Sequence, residues 1–252
     1  GEFEFDTGAD VFYQIRPNIT GVLTINTDFA ETEVDRRQVN LTRFPLFFPE
    51  KRDFFLKGAE YFQFGSNRSN ANSFHSRTIG LSGQGEKVDI PVGLKVTGRE
   101  GNLGVGAFGS RLAQTGGLEE DEVFVGRLTY DVFDESRVGA FVSHGDPRGN
   151  GDNSVGGIDL HFKDSTFRGN NALNTRIWGL VSDDDGVVGE NIGIGVSYDN
   201  TPFATEFGAE QIDDDFRPGT GFLSRTGRQY WFGLKYDWYP KDHWLYNWSL
   251  VT

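Results

Sequence analysis

The chain contains no cysteine and no methionine, and only 24 lysines and arginines stand against 37 aspartates and glutamates. Without cysteine there is no disulfide framework, zinc ribbon or thiol nucleophile. A formal net charge of −13 leaves no basic face for general nucleic-acid binding. No apolar run approaches the ~20 residues of a membrane-crossing helix, and no helix of ordinary length can be read. Lacking an initiator methionine, the chain reads as a mature or partial one, so the absence of a signal peptide carries no information on secretion. Glycine, in contrast, supplies 34 of 252 residues, about twice its usual share, and aromatics reach 14%. This mixture indicates an all-β protein with tight packing and many turns. No linker divides it, so residues 1–252 read as one domain.

Period-two alternation is the dominant pattern. Val88, Ile90, Val92, Leu94 and Val96 share one face of a predicted strand; Ile158, Leu160 and Phe162 share another. The same holds for Ile192, Ile194, Val196 and Tyr198, for Phe203, Thr205, Phe207 and Ala209, for Tyr230, Phe232, Leu234, Tyr236 and Trp238, and for Trp244, Tyr246, Trp248 and Leu250. A soluble β-sandwich binding module would alternate in the same way. Segments of about ten residues, a small and charged second face, and aromatics at strand ends (Tyr130, Tyr198, Trp238, Tyr239, Trp244) favour an antiparallel transmembrane β-barrel instead. The predicted lumen face carries Asp89, Lys95, Arg127, Asp131, Asp159 and His161. It continues with Lys163, Arg176, Glu206, Glu210, Lys235 and Asp237.

Connections alternate in length. Short turns are predicted near Pro17–Asn18, Arg99–Asn102, Asp134–Ser136, Asp164–Asn170, Asn200–Pro202 and Pro240–Asp242. Longer loops are predicted at Ala113–Asp121, Gly145–Asn153, Asp183–Gly189 and Asp213–Gly227, which is the outer-membrane pattern. About 12 spanning strands follow, or 14 if Glu60–Gly65 and Phe74–Ser82 also span, and the chain stops on one of them. An open arc, a portion of a larger barrel, is therefore expected. Residues 27–73 break the rhythm, with many phenylalanines beside mixed charge. Exposed rings would each cost roughly 1.5–3 kcal/mol relative to burial, and lipid would strand the charges. Residues 27–73 are therefore predicted to form a loop or inward plug. Phe47, Phe48, Phe54 and Phe55 should be buried, with Glu50 or Arg52 paired.

The segments Asn26-Thr27-Asp28-Phe29-Ala30-Glu31-Thr32-Glu33-Val34-Asp35, Val39-Asn40-Leu41-Thr42-Arg43-Phe44, Phe47-Phe48-Pro49-Glu50-Lys51-Arg52 and Phe54-Phe55-Leu56 carry a resemblance. They are similar to a domain-of-unknown-function family of bacterial outer-membrane β-barrels, in which the barrel commonly follows a carbohydrate-binding family 9-like domain. Ser76-Arg77-Thr78-Ile79-Gly80-Leu81, Asp146-Pro147, Phe216-Arg217-Pro218-Gly219 and Gly221-Phe222-Leu223 extend it. The resemblance implies the outer membrane of a Gram-negative bacterium and a longer protein. That family has no agreed activity, so it supplies no catalytic residue. Asp28, Glu31, Glu33, Asp35, Glu50, Lys51 and Arg52 match its motif and receive no role from it.

Other motifs carry less. Gly104-Val105-Gly106-Ala107-Phe108-Gly109 has the dinucleotide-loop spacing but sits inside a predicted strand with no helix after it. Close packing explains its glycines better. The acidic groups Asp28–Asp35, Asp183–Asp185 and Asp213–Asp215 suit calcium by donor type, without EF-hand spacing. Calcium is the one ion to consider, and no cofactor is otherwise expected. Four scattered histidines form no H-E-x-x-H. Glu206 and Glu210, four residues apart on a strand, lie about 13 Å apart, far for a retaining glycosidase pair. The expected function is an outer-membrane barrel acting as a channel, solute-binding protein or anchor of a surface assembly. Its partners would be membrane lipid, surface or periplasmic proteins, or glycans. The alternative is a membrane-anchored carbohydrate-related hydrolase whose active domain lies outside this chain.

Overall fold

The computed structural model describes residues 8–26, 45–66, 69–82, 88–114, 117–169, 171–240 and 248–251. Its strands are β1 (Ala9–Arg16), β2 (Ile19–Ile25), β3 (Ala71–Asn72), β4 (Val92–Glu100), β5 (Leu103–Leu112), β6 (Asp121–Val132) and β7 (Ser136–His144). They continue with β8 (Asn153–Phe167), β9 (Asn171–Asp184), β10 (Val187–Asp199), β11 (Phe203–Ile212), β12 (Phe222–Leu223), β13 (Gly227–Trp238) and β14 (Trp248–Val251). Twelve of these form one antiparallel sheet in the order β1-β2-β4-β5-β6-β7-β8-β9-β10-β11-β13-β14. Every neighbour in space is therefore the next long strand in sequence. The edge strands β1 and β14 do not pair with each other, so the described sheet is open. The two-residue strands β3 and β12 pair separately. Among the described residues helix is confined to α1 (Asp53–Leu56) and the 3-10 turns Ala59–Phe62 and Ser76–Thr78.

Side-chain alternation gives the sheet two unlike faces. On one, Leu23, Leu94, Gly109 and Phe124 stand opposite one another across β2, β4, β5 and β6. Leu128, Ala140, Ile158 and Gly179 do so across β6 to β9. This face is uncovered: Ile158 is 70% exposed and Phe232 68%. The other face is packed. Phe108, Val123, Val125, Phe141, Val155 and Leu180 bury against Phe55, Phe62, Ile79 and Phe216 from the connecting segments. A largely irregular layer that includes the short β3–β12 pair covers this inner face, so the described strands do not build a β-sandwich.

Three expectations need correction. Val88 and Ile90 do not share a strand face with Leu94. The strand starts at Val92, and both residues turn inward, 3% exposed each, where Val88 N–H bonds the Gly80 carbonyl. The Asp183–Gly189 loop is a two-residue turn. Asp185 (φ 52°) and Gly186 (φ 85°) both take positive φ, which matches the twist of a tight hairpin. Phe47 is not buried: it is 53% exposed, although its ring meets His75 and Phe222. Phe55 is buried, while Phe48 and Phe54 are partly so.

Gly104 to Gly109 lie within β5, as the strand reading requires. At Gly106 the Ala59–Phe62 turn rests on the sheet, and an added Cβ would lie 3.0 Å from the Tyr61 carbonyl oxygen. Gly106→Val should therefore lift that turn from the wall, at a cost of about 1–3 kcal/mol. Gly109→Ala is the control, since its Cβ would meet nothing nearer than 3.8 Å. A urea titration should separate the two variants; equal midpoints would contradict the packing argument.

Candidate functional site

The inner layer is organised around Arg52. Its guanidinium donates to the Ile79 carbonyl at 2.7 Å, the Ser76 carbonyl at 2.6 Å, and both Glu50 carboxylate oxygens at 2.9 and 2.8 Å. Glu50 also accepts from the backbone N–H groups of Lys51 and Arg52 and from the Ser76 hydroxyl. The Arg52 guanidinium lies 4.3 Å from the Phe55 ring centroid. Glu50–Arg52 thus clasps Ser76–Ile79, the expected pairing. Lys51 is exposed.

The clasp continues through the strand-linking segment 213–226. Thr220 carbonyl accepts from His75 N–H at 3.0 Å and from the Thr78 hydroxyl. Asn153 on β8 donates to the Arg217 carbonyl and accepts from Gly219 N–H, at 2.9 and 2.8 Å. Ser182 on β9 accepts from Arg217 N–H. Phe216 is fully buried, and Arg148, beside Pro147, reaches the Gly221 carbonyl at 3.4 Å. Glu50–Arg52, Ser76–Leu81, Asp146–Pro147 and Phe216–Leu223, separate in sequence, therefore meet in one inner knot.

Several residues expected to line the lumen instead grip this knot. Lys95 donates to the Phe54 and Lys57 carbonyls. Arg127, 3% exposed, donates to the Gln63 carbonyl and forms a 2.7 Å ion pair with Asp159, which accepts from Gly65 N–H. Glu210 accepts from Ser69 and from Asn70 N–H. Toward the short turns lie Lys163, paired with Glu135 at 3.1 Å, and Lys235, paired with Asp237 at 2.8 Å. Asp89 lies before β4 and is exposed. Asp28, Glu31, Glu33 and Asp35, with Trp244 and Tyr246, fall outside the described residues.

Beneath the knot is a cavity of about 650 Å³. Arg127, Arg137, Asp159, His161 and Arg176 form its wall on the sheet; Phe47, Phe64, Asn70, Asn72 and Phe222 close it from the inner layer. A smaller cavity of about 280 Å³, bounded by Arg176, Glu206 and Trp231, adjoins it at Ser66. Residues 1–115 match a family described as a domain of unknown function, DUF5916. No curated protein and no solved structure matches the chain. The DUF5916 match includes the Arg52 clasp and the Ser76–Leu81 turn; the Phe216–Leu223 part of the knot lies outside it. Sequence reasoning missed Asn153, Ser182 and Thr220, whose polar bonds join residues far apart in the chain. Among the described residues no group of three or more histidines or acids is arranged to hold a metal ion. Asp183, Asp184 and Asp185 are engaged by Gly186 N–H, Asn153 and Asp152 N–H respectively.

The knot titrates. Burial raises the Glu50 carboxyl, but the hydrogen bonds and charge of Arg52, with Ser76, outweigh it and hold the group at about 2. Burial lowers His75 to about 4, Glu50 opposing this and Arg148, Arg77 and Arg52 adding to it. Both groups bind protons less readily in place than when released. Stability from His75 is thus complete above its usual 6.5 and is lost as pH falls toward 4; that from Glu50 is lost between 4.5 and about 2. Amide protection factors in residues 71–80, with the intrinsic slowing of exchange divided out, should therefore fall between pH 7 and pH 4. His75→Gln should abolish that part of the fall; its persistence would refute the assignment.

Proposed function

We propose that this sheet is part of the wall of an outer-membrane β-barrel whose lumen is closed by the knot and which binds a solute in the cavity beneath it. The observation that carries the reading is the uncovered apolar face, continuous across the long strands. Monomeric soluble proteins rarely leave more than a few hundred Å² of contiguous apolar surface in water. On β10 this face runs from Ile192 to Tyr198, six steps or about 20 Å, close to the ~25 Å apolar band of outer-membrane barrels. Toward the long loops it gives way to Arg111, Glu122, His144 and Asp183. Toward the short turns it ends on Tyr130, Phe203 and Tyr236, as an interfacial aromatic girdle would.

The closed lumen is supported by the inner hydrophobic cluster, in which Phe55, Phe62, Ile79 and Phe216 pack directly against strand residues such as Phe108, Val125 and Leu180. Binding rather than steady conduction fits a cavity of small-molecule size beneath a sealed layer. The full-length protein in a planar bilayer should pass little steady current, and deletion of Phe47–Leu56 should raise it severalfold. A large, steady wild-type conductance would contradict the closed reading.

A further inference from the structure

The inner wall beneath the knot carries three arginines, Arg127, Arg137 and Arg176, against one carboxylate, Asp159, and two of the arginines flank His161 in a row. Arg137 on β7 stands directly opposite His161 on β8, and His161 directly opposite Arg176 on β9. Directly opposed residues on one face have Cβ atoms about 4.5–5.5 Å apart. The three side chains therefore present their nitrogens to one patch of the cavity, beside Arg127.

The available carboxylates do not neutralise this row. Asp131 is shared by Arg99 and Arg137, and Asp159 is taken by Arg127 and Gly65 N–H. Glu206 borders the adjoining cavity with Arg176, but no ion pair joins them. Arg176 makes no hydrogen bond or ion pair with any described residue. Among the described residues Arg127 Nη1, buried on the same wall, also has no hydrogen-bond partner. Arg127 is 97% removed from solvent, so its unmet donor is costly unless something else accepts from it.

We propose that this row is a binding site for an oxyanion group, a carboxylate or phosphate, carried by a small polar molecule. A guanidinium presents a planar fork that fits either group in two parallel hydrogen bonds. The cavity of about 650 Å³ holds more than a bare ion and lies within the range of organic-ligand sites. The opposite wall suits such a body: Phe47, Phe64 and Phe222 offer ring faces, and Asn70 and Asn72 offer amides. This deepens the solute-binding reading and rests on it, but does not depend on the apolar face meeting lipid.

Calorimetric titration of the full-length protein in detergent micelles tests it with three probes: gluconate, its neutral counterpart sorbitol, and inorganic phosphate. Gluconate should bind and sorbitol should not, with affinity falling as salt rises. Phosphate binding as tightly as gluconate would identify the bare anion as the group read, and still supports an oxyanion site. Arg176→Gln should weaken binding about tenfold or more. Because Arg176 bonds to no described residue, that variant should keep the wild-type tryptophan emission and urea midpoint. Arg111→Gln, on the outer rim and paired with Glu120, should leave affinity unchanged. Failure of both anions to bind at millimolar concentration, or unchanged affinity in folded Arg176→Gln, would overturn the proposal. Bilayer conductance of the protein without ligand is unaffected by either result, so the closed-lumen reading stands or falls separately.

Discussion

Arginine at Ile194 is expected to cost roughly 2–4 kcal/mol of folding stability in bilayers or micelles, as it does near the midplane of outer-membrane barrels. Ile194 stands on the uncovered face of β10, opposite Ile177 and Ala209, midway along the apolar run from Ile192 to Tyr198. In lipid a guanidinium there has no partner within the sheet. Ser197→Arg, on the opposite face beside the smaller cavity, should cost much less. Urea midpoints in micelles compare the two. Equal costs at the two positions would mean that the faces do not meet unlike solvents.

The second large effect is expected at the clasp. Arg52→Ala removes a guanidinium with a side chain 7% exposed and leaves Glu50, 11% exposed, without its counterion. It also frees the Ile79 and Ser76 carbonyls. Breaking a buried pair in this way costs about 3–5 kcal/mol, mostly from the stranded charge. Replacing both residues, Glu50→Gln with Arg52→Met, should therefore be less damaging than Arg52→Ala alone. The loss should be local. Amide exchange should accelerate across residues 45–82 while β5 to β10 keep their protection, because the strand ladder does not depend on Arg52. Unchanged exchange in 45–82 would deny the clasp its structural role.

The wall was legible in the sequence because each strand states its own face. Ile192, Ile194 and Val196 alternate with Gly193, Gly195 and Ser197, and their cross-strand partners repeat the pattern. Sequential pairing followed from short turns such as Gly101–Asn102, which admit only antiparallel neighbours. Val88 and Ile90 misled because alternation continued past the point where the chain leaves the sheet, and periodicity does not report which layer receives a side chain. The Asp183–Gly189 error came from reading three acids as loop, where Asp185-Gly186 supplies the positive φ of a tight turn.

The site was less legible. Glu50 and Arg52 were found through a local motif, and their partnership is local too. The contacts that complete the knot join β8 and β9 to residues 217–220, and no local pattern encodes them. The charged strand residues share the packed face of the sheet, where Lys95, Arg127 and Glu210 hold the inner layer. Phe47 was expected to be buried from the density of rings around it; it lies at the cavity edge, where only His75 and Phe222 cover it.

The cysteine-free chain permits the most direct test of the central claim that the apolar face meets lipid. Single cysteines at Ile158, Ile194 and Phe232, and at Asn174 and Ser197 on the inner face, would carry an environment-sensitive fluorophore in protein reconstituted into vesicles. A nitroxide-bearing lipid should quench the first three strongly and the last two weakly. Equal quenching on both faces, or none at Ile158, Ile194 and Phe232, would contradict the account.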